Sequence, residues 1–234
     1  MDKFDTLKDL LDCGDIDRLL AACTDWFGAD LAALNFVEGG QLHTVAHRGL
    51  ATQKQSAFGT PCLEVVSQEH GLAVVELSAD PRFNKLPAVI EAPGLTTYIG
   101  TPIYDDKDAC VASLCVLHCE QLAVPDNWAP MMVGAAALLE AWLENTLDET
   151  AGEMDEHWHA ALNKLCAEAS NIARRRQLRA AAAEAGQGGW LLGVGRRCLG
   201  SWQGLRRAAR RPHHHGPATP GALLAMEPGL RKAA

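Results

Sequence analysis

Two hydrophobic periods alternate along the first part of the chain, and each change of period marks an element boundary. Over residues 4–27, Leu7, Leu10, Leu11, Ile16, Leu19, Leu20 and Cys23 recur mostly three and four positions apart. That spacing lines one face of a helix. Cys13-Gly14-Asp15 interrupts the stripe, which predicts two short helices with Asp15 as N-cap of the second. At Leu31-Ala-Ala-Leu-Asn-Phe-Val37 the pattern becomes that of a strand. Gly39-Gly40 supplies a turn and Gln41-Leu-His-Thr-Val-Ala-His47 returns, a hairpin pattern.

Residues 60–70 read as a short helix, with Thr60 as its cap and Pro61 in its first turn. Leu72-Ala-Val-Val-Glu-Leu77 and Thr96–Ile103 read as strands on either side of a proline-marked loop. In that loop, Asp80-Pro-Arg-Phe83 and Pro93-Gly94 each predict a turn. Tyr104-Asp-Asp-Lys-Asp108 is a polar turn. Cys110-Val-Ala-Ser-Leu-Cys-Val-Leu-His118 is apolar throughout, as expected of a central strand covered on both faces. From Pro125 a long helix carries Trp128, Met132, Ala135, Leu139, Trp142 and Leu143 at helical spacing. A second helical stretch runs from about His157 to Ala185. Tight turns between neighbouring strands imply an antiparallel sheet, and terminal helices imply cover on one face. The class is therefore α+β, with a long C-terminal helix.

The order Cys62, then Val74-Val-Glu-Leu-Ser-Ala-Asp-Pro-Arg-Phe83, Pro93-Gly-Leu95, Tyr98-Ile-Gly-Thr-Pro-Ile103 and Leu114-Cys-Val-Leu-His118 resembles a GAF domain. The likeness is to the bacterial subgroup that stands before histidine kinase or diguanylate cyclase output domains, and it covers roughly residues 10–145. This sequence departs from the subgroup's pattern in carrying Thr96 for an arginine, His118 for an aspartate, and no turn glycine in Asp105-Asp-Lys-Asp108. The resemblance implies a small-molecule pocket between the sheet and the Leu77–Leu95 loop. It implies Asn35, Cys62, Phe83, Tyr98 and Cys115 as pocket residues. Tyr98 offers a ring face and a polar tip together, whereas Phe83 and Cys62 also suit a purely packing role. Gly100 is expected to admit another backbone close to its strand.

Charge divides the chain. Residues 1–173 hold nine Lys/Arg against 27 Asp/Glu, and residues 174–234 hold twelve against two. The expected organisation is a GAF-like sensor domain at 1–148, a helical linker at 149–185 and a basic low-complexity tail at 186–234. The tail is rich in Ala, Gly, Arg and Pro, and such a composition is expected to be disordered. It is also what a shifted reading frame of a GC-rich gene produces, so an output domain lost after about residue 175 is expected. A basic arm binding nucleic acid or anionic membrane is the other reading, but only Trp190 and Trp202 interleave its arginines.

No run approaches the ~18 apolar residues of a membrane span, and Met1-Asp-Lys-Phe-Asp-Thr6 does not resemble a secretion signal. Eight cysteines without a Cys-x-x-Cys pair suit reduced thiols packed as small hydrophobes in a cytoplasmic protein. His118-Cys119 lies on a strand, where adjacent side chains oppose one another, so the pair is not expected to chelate a metal. It also reverses the Cys-His order usual at bilin attachment, so neither a covalent bilin nor haem is expected. Cys115 and Cys119 would stand ~13 Å apart on an extended strand, too far for a disulfide. Glu153, Asp155, Glu156, His157 and His159 read as a solvated helix face before a metal site. No catalytic constellation appears. The expected function is a sensory module of a two-component or diguanylate cyclase protein, homodimeric through its terminal helices, with Trp128 and Trp142 as a candidate seam. The alternatives are a dimerisation module without ligand and a cysteine-based redox enzyme.

Overall fold

A pair of glycines sets the first register. Gly39 and Gly40 both take positive φ (57° and 74°), as the tightest hairpin turns require. They join β1 (Leu31–Glu38) to β2 (Gln41–Arg48), with Glu38 opposite Gln41. The computed structural model describes residues 7, 9–49, 54–91, 94–105, 107–147 and 154–184. The expected 186–234 tail lies outside them, as do Pro93 and Glu153. The remaining strands are β3 (Lys54–Ser56), β4 (Leu72–Val74), β5 (Thr97–Tyr104) and β6 (Cys110–His118). The sheet order is β3-β2-β1-β6-β5-β4, with every neighbouring pair antiparallel. β6 is therefore central, between β1 and β5.

Alternation along the strands sorts side chains onto two faces. Ala32, Leu34, Ile99, Ile103, Ala112, Leu114 and Val116 join one apolar core. That core is completed by α1 (Gly14–Phe27) and by the two long helices described next. Ala33, Leu42, Tyr98 and Cys115 join a second, smaller cluster on the opposite face. This second face is covered by α2 (Pro61–Gln68) and by the loop that carries Phe83 and the single-turn α3 (Pro87–Ile90).

α4 (Trp128–Leu147) begins three residues later than its stripe predicts, because Trp128 N donates to Pro125 O (3.0 Å) across a turn. Trp142 is buried in the protein's own core, and the half-buried Trp128 lies against Gly71, where a Cβ would come within 2.9 Å of the ring. Both tryptophans thus pack against the protein's own helix-side core, Trp142 buried in it and Trp128 at its margin. α5 (Glu156–Glu184) lies within the segment read as a linker. Asp155 starts it, its carboxylate accepting from Trp158 N (2.8 Å). Trp158, Leu162 and Leu165 are buried in the helix-side core, and Trp158 Nε1 donates to Leu138 O of α4 (2.9 Å). Farther along α5, Arg176 donates to the Asp25 and Trp26 carbonyls (3.0 and 2.5 Å), satisfying the open end of α1.

Local details differ from expectation for identifiable reasons. Cys13, not Asp15, is the N-cap of α1; Asp15 stands in the first turn and pairs with Arg18 (3.1 Å) and His159 (3.3 Å). β4 ends at Val74, and the next carbonyl, that of Val75, accepts from the Thr97 hydroxyl (2.9 Å). The missing turn glycine is replaced by Asp108 at φ 60°. Its turn is held by Asp105 Oδ1, which accepts from Lys107 N and Ala109 N (both 2.9 Å).

Candidate functional site

The second face is assembled from α2, β1, β2, β5, β6 and the loop after β4. Thr60 caps α2, its hydroxyl accepting from Leu63 N (3.3 Å), and Pro61 occupies the first turn. This places Cys62 and Val65 inward, both buried, and Glu64 and Gln68 outward. In the loop, Asp80 Oδ1 accepts from Arg82 N (3.0 Å), and Phe83 N donates to Asp80 O (3.0 Å). That turn drives Phe83 into the layer, where it is 1% exposed. Arg82 stays outside, 4.7 Å over the Phe83 ring, and bridges Glu64 of α2 (2.6 Å) and Asp80 (2.7 Å). The Asp80 carboxyl is held below its ordinary range by the hydrogen bonds from Arg82. Arg82 thus ties the loop to α2.

Beneath this cover lies a polar cluster. Asn35 Nδ2 stands 3.5 Å from Cys62 Sγ and 3.4 Å from Cys115 Sγ. Thr44, the cross-strand partner of Asn35, orients the amide by donating to Asn35 Oδ1 (2.7 Å). The Tyr98 hydroxyl donates to Cys62 Sγ (3.6 Å). Its ring leans over Gly100: a Cβ there would come within 2.3 Å of the Tyr98 oxygen. Gly100 therefore admits the Tyr98 side chain over its strand. Ser113 is fully buried on the same face of β6. Its hydroxyl meets no hydrogen-bond partner at standard geometry, yet lies near enough to Cys62 to favour that thiolate.

These neighbours set the thiols apart from each other. The Cys62 pKa falls from near 9 to about 7, because a hydrogen bond from Cys115 outweighs the cost of burial, with further help from Ser113, Tyr98 and Asn35. Cys115 is pushed up by that same pairing and by its own burial. Burial, with the two thiols beside it, also raises the Tyr98 phenol, which stays a donor.

The structure brings Asn35, Cys62, Tyr98 and Cys115 into one hydrogen-bonded group, and it places Phe83 in the apolar layer around them. Phe83, Leu77, Val65 and Tyr98 pack together between sheet and loop. A cleft of about 200 Å³ opens on the outer side of α2, lined in part by Thr60, Leu63, Glu64, Arg82 and Phe83. Sequence reasoning missed Thr44, Ser113 and the Arg82 bridge. Ser113 was detectable, standing two positions before Cys115 on the same strand. Thr44 and Arg82 needed the register and the loop path. His118 Nδ1 lies 2.5 Å from Asp30 Oδ2 at the end of β6, away from this cluster.

The GAF domain family model matches residues 14–145. A search of curated proteins gives no match. Among solved structures, the GAF domain of an Acinetobacter phosphoenolpyruvate-protein phosphotransferase is 14% identical, covers 77% of this chain and 86% of its own, and has a TM-score of 0.40. A domain of a putative two-component sensor histidine kinase from Sinorhizobium meliloti is 14% identical, over 57% of this chain and 90% of its own, at TM-score 0.44. The type II free methionine-R-sulfoxide reductase of Thermoplasma acidophilum is 15% identical, over 56% and 89%, at TM-score 0.42.

Proposed function

Because this chain belongs to the GAF domain family, whose model spans more than half of it, we propose that it is a small-molecule sensory or regulatory module of bacterial signal transduction. Within the family, we place it in the subgroup that precedes histidine kinase or diguanylate cyclase output domains, acting in the cytoplasm and without a catalytic step of its own. Among the described residues no helix is long and apolar enough to cross a membrane.

The observation that carries this reading is the polar cluster beneath the α2 cover. A sheet face that needed only to be packed would be more stable with apolar side chains throughout. Here Asn35, Thr44 and Ser113 are buried instead, and the Ser113 hydroxyl meets its neighbours only outside standard hydrogen-bond geometry. The cover is held by exposed ion pairs through Arg82, which contribute little to stability. In this reading a ligand displaces Phe83 and the loop and then bonds Ser113 and Tyr98. β6 carries Ser113 and Cys115 on the ligand side and Leu114 and Val116 on the helix side. A shift of β6 therefore moves the terminal helices, through which a homodimer would report to its output domain.

Native mass spectrometry of the untagged chain expressed in bacteria, with an absorption spectrum, tests this. The expected result is a dimer carrying a reproducible small-molecule mass, with weaker retention of that mass in Tyr98→Phe. A clean apo protein that binds no nucleotide or metabolite of a broad panel overturns it. That result favours a dimerisation module, a reading supported by the side chains that pack together under the loop.

A further inference from the structure

We propose that Cys62 and Cys115 form a reversible dithiol–disulfide site that reacts with small hydroperoxides. The proposal rests on the geometry of the cluster and stands whether or not the domain also binds a metabolite.

The two sulfurs come from elements far apart in sequence, α2 and β6, yet share one amide donor at 3.5 and 3.4 Å. Both are buried in the same side-chain cluster with Tyr98, and each shifts the titration of the other. Cys62 receives the Tyr98 hydroxyl as well, and it stands in the first turn of α2, where the free peptide N–H groups favour a thiolate. Donors thus converge on one sulfur, the arrangement expected of an attacking thiol, while the other waits beside it as the resolving thiol. Cys23 shows the contrast: it is buried among apolar side chains of the helix-side core, and burial pushes it up to about 12. Cys62 points inward from α2 and is 5% exposed, and the cleft on the outer side of α2 is lined by Thr60 and Leu63 but not by Cys62, so a hydroperoxide reaches the thiol only when the Arg82-tied loop lifts from α2.

The chemistry balances with a hydroperoxide as oxidant. The Cys62 thiolate attacks the terminal peroxide oxygen. The O–O bond breaks, and the departing oxygen takes up the proton that Cys62 released, leaving as water or an alcohol. Cys62 is then a sulfenic acid. The Cys115 sulfur attacks the Cys62 sulfur, the S–OH bond breaks, and the hydroxide leaves as water with the proton from Cys115. Two thiols have lost two electrons and one hydroperoxide has gained them. A thiol reductant reverses the step by exchange. The disulfide would pin α2 to the centre of the sheet.

The test uses the full reduced chain treated with one equivalent of hydrogen peroxide near neutral pH, then alkylated and mapped without reduction. The expected product is lighter by two hydrogens, about 2 Da, and yields a peptide linking Cys62 to Cys115 that dithiothreitol separates. In Cys115→Ser, the reaction stops at a sulfenic acid on Cys62, captured by dimedone. The wild-type map is read without any variant, so a folding defect in Cys115→Ser leaves the test intact. Cys62 and Cys115 remaining as unreactive as Cys23, or disulfides formed by other cysteines while these two stay free, would overturn the proposal.

Discussion

Cys23 and Cys62 are both buried, and the two faces of the sheet treat them in opposite ways. On the helix side, Cys23 lies in the apolar core shared by α1, α4 and α5, and desolvation, with a smaller contribution from Cys166, pushes its pKa up to about 12. On the α2 side, Cys62 meets a thiol, a phenol, an amide and a hydroxyl, and its pKa falls to about 7. Burial is common to both, so burial does not decide the outcome; the convergence of donors does. One face is built to hold the protein together. The other gives up apolar packing for polar groups that must be matched in detail.

The largest expected effect that separates the faces is on stability. Trp158→Ala removes a ring buried between α4 and α5 and its bond to Leu138 O. It should cost about 3–5 kcal/mol of global stability in denaturant unfolding. A cost under about 1 kcal/mol would mean the helix layer is not the main core.

Next in size is Gly100→Ala, which places a methyl where the Tyr98 oxygen lies. Overpacking of this kind costs about 1–3 kcal/mol. The ring must also leave Cys62, so the Cys62 thiol should titrate higher. An unchanged titration would remove Tyr98 from the set of donors that tune it.

Arg82→Gln should cost less than about 1 kcal/mol globally, since the guanidinium is 44% exposed and its pairs are screened. Its signature is local: faster hydrogen exchange in α2 and in residues 77–91, with α1 and α5 unchanged. Uniform acceleration would show that the cover does not open by itself.

A separate effect is on pH dependence. Cys62 has a folded pKa of about 7 against an ordinary value near 9. Below pH 7 it is protonated in both states and adds nothing. Between 7 and 9 it is ionised only when folded, so stability rises with pH and is lost again as pH falls through 7. Cys62→Ser should flatten that rise in thermal melts between pH 7 and 9.

Much of this division could be read from the chain. β1, β2 and β6 and the capped α2 are legible because apolar runs bounded by turn residues and cap chemistry are local. β3 was not, being three residues held only by pairing with Gln41, Leu42 and His43. The packing of α5 was hidden for a similar reason: its stripe from Trp158 to Ala169 sits in a charged segment, and only α1 and α4 reveal what it covers. Asn35, Cys62, Tyr98 and Cys115 came from the GAF resemblance. Their hydrogen bonds to one another depend on sheet register, which sequence spacing does not encode. Arg82 looked like a turn residue because its partner Glu64 lies 18 positions away.

The most direct measurement is the alkylation rate of each cysteine between pH 5.5 and 10, followed residue by residue by mass spectrometry in the reduced wild type and in Tyr98→Phe. The account expects Cys62 to react along a titration centred near pH 7, the Tyr98→Phe titration to move upward with the fold intact, and Cys23 to stay inert until strongly alkaline pH. Cys62 titrating at or above an ordinary thiol, in step with Cys23, would contradict it.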